Sequence, residues 1–399
     1  MESRSRDWRD RLGTVVLICS STFTLLLVSV MSPVLSTVAA HFGVGTGAAL
    51  QAQSIITMSG VGMMVGGFLA GWLGDRIGAR RTMLAMMTLY GIAGSAGLYL
   101  PDIVSLLASR VVLGASASGL AASTYLIIAA RFDGAARARM LGYQIAFLAV
   151  AGTVSLLLAG KIAAVGGWRA PFLIYLSVFP MLALALVARL PEGKAEANAA
   201  MPADLGVTPP KLWPLLVMIV PLYMGFHMFI LHLSLSLAAD GITDPSIQSA
   251  IMASMMAMTF VGGLLYGRLS PALGERWTFV AILVLLAASN ILYGATTGVA
   301  AAVAACAIAG VAGAALPPYL VGQVIARAPL AMRGRALGLM YMAMYLGDFL
   351  NPPIVTPLRV AIGNHEAFTL AGVLLALGAL VQALRGRSGT QTPVPRPAD

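Results

Sequence analysis

Gly71-Trp72-Leu73-Gly74-Asp75-Arg76-Ile77-Gly78-Ala79-Arg80-Arg81-Thr82-Met83-Leu84 places one acid and three arginines in a glycine-rich segment between two long apolar runs. Neither run tolerates charge, so the segment reads as a turn at a membrane surface that joins two spanning helices. An echo follows 196 positions later, Gly267-Arg268-Leu269-Ser270-Pro271-Ala272-Leu273-Gly274-Glu275-Arg276. The acid of the first copy, Asp75, aligns there with Pro271.

The rest of the chain supports a membrane location. Of 399 residues, 59% are hydrophobic and 10% charged, against roughly 25% charged in soluble domains. Apolar runs recur from end to end, each long enough to cross a ~30 Å hydrocarbon core as a helix. The net charge of +10 would point to nucleic acid in a soluble protein, but no basic face with interleaved aromatics exists. The basic residues instead gather in alternate loops: Arg4, Arg6, Arg9 and Arg11; Arg76, Arg80 and Arg81; Arg131, Arg137 and Arg139; Arg189, Lys194 and Lys211; Arg268 and Arg276; Arg327, Arg333 and Arg335; Arg385, Arg387 and Arg396. Lys161, Arg169 and Arg359 fall on the other side, and Arg110 within a span. The positive-inside rule then places both termini in the cytoplasm, with attraction to anionic lipid as a side effect.

Cys19 and Cys306 sit inside apolar runs and read as free thiols, neither a disulfide framework nor a metal site. The arginines ahead of the first run raise the question of a signal peptide, and Val38-Ala39-Ala40 would pass as a cleavage site. The run over 12–34 exceeds the roughly 7–15 residues of a signal core, so it reads as a retained first span.

Twelve spans are expected, over 12–35, 50–72, 83–100, 103–130, 140–163, 171–188, 212–238, 247–267, 277–295, 299–325, 336–360 and 367–384. Residues 1–11 form a cytoplasmic segment, 12–188 and 212–384 two six-helix bundles, 189–211 a flexible polar cytoplasmic linker, and 385–399 a disordered cytoplasmic tail. The fold class is thus all-α, twelve transmembrane helices in two pseudo-symmetric bundles. The bundles repeat at the same offset of 196: Gly262-Gly263 on Gly66-Gly67, Gly274 on Gly78, Arg276 on Arg80, Gly310 on Gly114, and Phe368 on Phe172. Arg327, Arg333 and Arg335 fall on Arg131, Arg137 and Arg139. Glycine matches come cheaply in such composition, so the arginines carry most of the weight.

With these residues in view, the segment 71–84 resembles the loop signature of the major facilitator superfamily, G-x-L-a-D-r-x-G-r-k-x-x-l, between spans two and three. It departs at Ala79, where a basic residue is expected, with Arg80 and Arg81 following. The resemblance implies two bundles that rock about a central site. It also implies a gating role for Gly71, Gly74, Asp75, Arg76, Gly78, Arg80 and Arg81, with Asp75 as a latch; anchoring of the loop is the plainer alternative. Leu106 to Gly114 similarly resembles a span-four signature whose buried arginine is linked to proton coupling, with Leu113 in place of its polar residue. Arg110 is therefore a coupling candidate, with snorkelling as the alternative. The fifth span lacks the Gly-Pro pair of many drug/proton antiporters.

Polar side chains within spans supply the other candidates. Tyr341, Tyr345 and Asp348 follow at i, i+4 and i+7 on one helical face, with Asn351 beyond them, and Asp348 is a carboxylate deep in a span. Tyr223, His227 and Ser234 share a face of span seven, from which His232 points elsewhere. Gln144 with Ser155 in span five and Tyr319 in span ten complete the candidate cavity; Met252, Met255, Met256 and Met258 are read as cavity lining or plain apolar surface. Asp348, His227 and Arg110 are the coupling candidates. There is no nucleotide loop, metal cluster or nucleophile motif, so neither an enzyme nor a cofactor is expected. The expectation is a monomeric secondary transporter of a bacterial-type inner membrane, moving a small organic molecule against protons, efflux favoured. Import by proton symport is the alternative, and a non-transporting membrane sensor is a third reading.

Overall fold

In lipid no water is at hand to bond backbone N–H and C=O groups, so a spanning chain must satisfy them along itself. The computed structural model describes residues 2–43, 45–132, 134–188, 190–191, 212–328 and 333–384, and among them no strand occurs. The first crossing is built from α1 (Glu2–Cys19), α2 (Thr22–Ser29), a 3-10 turn at Ser32–Val34 and α3 (Leu35–Phe42). It is followed by α4 (Thr46–Ile77), α5 (Ala79–Ser95), α6 (Ile103–Arg131), α7 (Gly134–Gly166), a 3-10 stretch at Ala170–Ser177, and α8 (Val178–Val187). The second half comprises α9 (Trp213–Leu231), α10 (Leu233–Ala239), α11 (Pro245–Ala295), α12 (Val299–Arg327), α13 (Arg333–Ile362) and α14 (Asn364–Leu384). Among the described residues, eight helical segments are long and apolar enough to cross a membrane. One of them, α11, has 51 residues, about 75 Å of helix at 1.5 Å per residue, which is enough for two crossings.

The turn expected over 71–84 contracts to a single residue. Helix α4 continues to Ile77 and α5 starts at Ala79; only Gly78 departs, at φ 89° and ψ 149°. Its counterpart Gly274 is the non-helical residue inside α11, at φ 73° and ψ 170°. Such backbone is open to glycine and strained by about 1–3 kcal/mol for other residues. Gly78→Ala and Gly274→Ala are each expected to cost about 1–3 kcal/mol, read as a lower unfolding midpoint of the full-length protein in detergent. An unchanged midpoint would show that the break does not need glycine. A second difference lies at His232, where the expected seventh span breaks into α9 and α10.

The internal repeat reappears as matched contacts. A Cβ on Gly114 of α6 would run into the Ser59 carbonyl of α4, and one on Gly310 of α12 into the Met255 carbonyl of α11. Gly66 packs on Ala115, and Gly262 on Val311, in the same relation. Arg80 donates to the Leu186 carbonyl at 3.2 Å and Arg276 to the Gln382 carbonyl at 3.0 Å, so each arginine caps the last helix of its half. Arg169 donates to the Gly97 carbonyl at 2.9 Å, and His365 Nδ1 to the Tyr293 carbonyl at 3.0 Å. Every pair is separated by the offset found in the sequence.

The two halves meet where α4 packs on α13 and α7 on α11. Here too the contacts match: Gly160 lies against Ser249, and Thr356 donates to Gln53 Oε1 at 2.6 Å. Large apolar side chains such as Val104, Val165, Leu374 and Leu384 remain exposed on the outside, as a lipid-facing surface requires. Asp102 caps α6, accepting from the Ser105 N–H at 2.8 Å and the Ser105 hydroxyl at 2.6 Å, which holds its carboxyl below the usual range.

Candidate functional site

Between the halves lies a cavity of about 790 Å³, lined from α2, α4, α6, α7, α9 and α13. Most of its wall is apolar, with a few polar groups converging on it, the usual make-up of a small-molecule site. Gln144, Tyr223, His227, Tyr341, Tyr345 and Asp348 all line it, together with Ser59, Ser118 and Tyr125. Gln144 is held by donating to the Leu17 carbonyl at 2.6 Å.

Two of the candidates, far apart in sequence, form a pair. His227 Nδ1 lies 2.9 Å from Asp348 Oδ1 and 3.1 Å from the Tyr223 carbonyl oxygen. The Tyr223 carbonyl accepts, so Nδ1 carries the hydrogen and Nε2 is the position at which the ring gains or loses a proton; Asp348 Oδ1 lies at ion-pair distance without accepting a hydrogen bond. Tyr223 stacks on the imidazole at 5.4 Å and Phe226 meets it edge-on at 4.9 Å, which fixes its plane. A carboxylate beside an imidazole in an apolar wall forms a neutral unit when one proton is shared; each further proton gained or lost changes the cavity charge by one.

Beyond the cavity, at the end remote from Gly78 and Gly274, hydrogen bonds cross from half to half. Ser32 donates to the Ile230 carbonyl at 2.7 Å, and Ser36 Oγ lies 3.2 Å from Ser234 Oγ and 3.3 Å from Gln248 Oε1. Gln53 Nε2 donates to the Leu231 carbonyl at 2.9 Å and is 2.9 Å from His232 Nδ1. Asn351 Nδ2 donates to the Met224 carbonyl at 2.8 Å, which leaves its Oδ1 to accept from His232 Nε2 at 2.7 Å. His232 Nδ1 is then the acceptor, and Arg359 Nη1 also points at it from 3.0 Å. His232 is therefore neutral here and aimed into the seam, away from the cavity that Tyr223 and His227 line; Ser234, expected on their face, also lies in the seam. The break after α9 brings it there.

The remaining sequence candidates are placed elsewhere. Asn351 belongs to the seam, as does Ser234. Tyr319 stacks on Phe279 inside the second half, centroids 5.1 Å apart. Arg110 is fully buried but lies off the cavity. It donates to the Ala93 and Gly94 carbonyls at 2.5 and 3.0 Å, closing the end of α5, and sits over the Phe172 and Tyr175 rings at 5.0 and 5.4 Å. Met252, Met255 and Met256 line a separate small void, and Ser155 bonds Ser29. Of the signature residues, Gly74 is buried, Arg76 and Arg81 are exposed, and Arg80 is the helix cap described above. The surroundings of Gly71, the Asp75 side chain, Arg189 and the segments 192–211 and 385–399 lie outside the described residues. An apolar groove of about 460 Å³ opens to the outside between α9, α13 and α14; it has almost no polar group to orient a solute.

Sequence reasoning passed over Gln53, Thr356 and Arg359. Each is a polar residue within an apolar stretch, but nothing in one strand of sequence says that Gln53 and Thr356, 303 positions apart, face each other.

The family profile described as Major Facilitator Superfamily matches residues 17–239 and 215–399. Among solved structures, the chain resembles the xylose transporter XylE from E. coli in an inward-open conformation, at 14% identity and TM-score 0.71, over 95% of this chain and 97% of that one. It also resembles a POT family transporter in complex with a thioalcohol-conjugated peptide, at 14% identity and TM-score 0.71, over 93% and 95% of the two chains. The nucleoside transporter NupG matches at 13% identity and TM-score 0.72, over 92% and 99%. At such identities the likeness concerns the fold.

Proposed function

We propose that this chain, which belongs to the Major Facilitator Superfamily, is a secondary transporter that moves a small organic molecule by alternating access, with the proton as coupling ion. The observation that carries the reading is the His227–Asp348 pair, 2.9 Å apart, in a cavity between two halves that are bonded together at one end. Twelve spans in two six-helix bundles, both termini in the cytoplasm and a monomer in a bacterial-type inner membrane complete the proposal. With the basic loops inside, the bonded seam faces outward and the cavity belongs to an inward-facing state.

Alternating access requires the seam to part while the basic ends of the halves close. Export of a solute in exchange for protons follows from the resemblance. Import with a proton is a second reading, favoured by the buried Arg359 guanidinium at the outer seam, where an incoming solute first meets the protein.

Single cysteines at Ser36 and Tyr125, with Cys19 and Cys306 replaced by serine, test the proposal through labelling by a membrane-impermeant maleimide in oriented vesicles. Tyr125→Cys is expected to label from the cytoplasmic side and Ser36→Cys slowly from the outside. Removing the Thr356–Gln53 bond by Thr356→Val removes about 0.5–1.5 kcal/mol from the closed state, so Ser36→Cys labelling is expected to rise roughly two- to tenfold. Outer labelling that stays at background in every variant would refute alternating access.

A further inference from the structure

Arg359 sits on α13 where the two halves meet at the seam, only 8% exposed. Its Nε and Nη2 donate to Asn364 Oδ1 at 2.9 and 2.5 Å, and its Nη1 faces the neutral His232 ring at 3.0 Å. Among the described residues no carboxylate lies within ion-pair distance of it. Asp240 pairs with His365 at 3.1 Å, Asp348, 11 residues earlier on α13, lies 2.9 Å from His227, and Glu366 folds over Gly363. A guanidinium withdrawn from water without a counter-charge is destabilising, because burial penalises the charged form. Closure of the seam does not require it, because the serines, Gln53 and Thr356 already bond across.

We infer that Arg359 is the outer capture site for a small organic monocarboxylate. The proposal rests on the transporter reading, since the site is uncovered only when α4 and α13 part at this end. Gln53 then leaves with the first half, and Nη1 loses the neighbour that shares the His232 nitrogen with it. The planar guanidinium offers two parallel N–H groups that match the two oxygens of a carboxylate. One unbalanced positive charge is neutralised by one negative charge, whereas a dianion would leave an excess of negative charge on a single guanidinium. Asn364 and the neutral His232 are the acceptors that the incoming carboxylate replaces on Arg359. No bond is made or broken, only acceptors are exchanged.

The test is the thermal unfolding midpoint of the purified full-length protein with sodium formate, acetate, lactate, pyruvate and benzoate, against sodium chloride at equal ionic strength and against the neutral lactamide and benzamide. At least one carboxylate is expected to raise the midpoint by several degrees, because a ligand that binds the folded state stabilises it, and its amide is expected to have no effect. Arg359→Gln should lose the shift entirely, and Arg359→Lys should keep the charge but need roughly tenfold more carboxylate, since the fork is gone. If the glutamine variant does not fold, the lysine variant decides. No shift with any carboxylate, or a shift equal in wild type and Arg359→Lys, overturns the inference. Outer labelling of Ser36→Cys separates the two failures: labelling without a carboxylate effect overturns the capture site alone, and absent labelling overturns both readings.

Discussion

Asp348→Asn is expected to abolish the accumulation of solute against a gradient while leaving the protein folded. Asparagine keeps the shape, and the His227 Nδ1–H retains the Tyr223 carbonyl at 3.1 Å. What disappears is the negative charge that lets the pair hold one proton as a neutral unit. A proton then loads His227 alone and leaves a net positive charge in an apolar wall, which the low dielectric disfavours. An electroneutral one-proton cycle supports about a tenfold solute ratio per pH unit, because one unit is worth about 1.4 kcal/mol. The measurement is the accumulation ratio in proteoliposomes under an imposed pH gradient, for solutes that the wild-type protein concentrates. The ratio should fall to unity in the variant while solute exchange across the membrane persists. A variant that still follows the imposed gradient would remove Asp348 from coupling.

The second large effect concerns packing. Gly114→Ala and Gly310→Ala should each prevent recovery of a monodisperse protein, or lower its midpoint sharply. At both positions the added Cβ meets a backbone carbonyl, of Ser59 and Met255 respectively, so no flexible side chain can swing away and the helices themselves must separate. Overpacking against side chains costs about 1–3 kcal/mol; a displaced helix pair also loses the close small-residue contacts that hold membrane helices together. Gly263→Ala is the matched control. Nothing lies within 4 Å of its Cβ position, and alanine gains up to about 1 kcal/mol over glycine in a helix interior. Gel filtration and thermal midpoints of the three variants decide the matter. Tolerance of alanine at both Gly114 and Gly310 would mean that the α4–α6 and α11–α12 contacts are looser than described.

Much of this architecture is legible along the chain. Apolar runs demand helices because lipid satisfies no backbone polar group. The arginine register of Arg80 with Arg276 reveals the duplication, and the contacts of those two arginines with Leu186 and Gln382 repeat it in space. The face shared by Tyr341, Tyr345 and Asp348, and the one shared by Tyr223 and His227, follow from helical periodicity, and both faces line the cavity. That His227 meets Asp348 does not follow, because periodicity orients a side chain on its own helix and says nothing about the helix opposite.

The same boundary separates the other results. Composition and loop charge tell that the chain is a membrane protein made of two copies of one unit, and the signature segment tells its family, since those properties reside in residue type and order. They also place Arg110 within a span, but its burial and its partners, the Ala93 and Gly94 carbonyls at the end of another helix, are set by the packing. The break of the signature at Gly78 alone, the swing of His232 into the seam and the isolation of Arg359 among neutral partners all arise from contacts between helices distant in sequence. Such contacts depend on how the halves are docked, and docking is set by the summed shape of many side chains rather than by any local pattern.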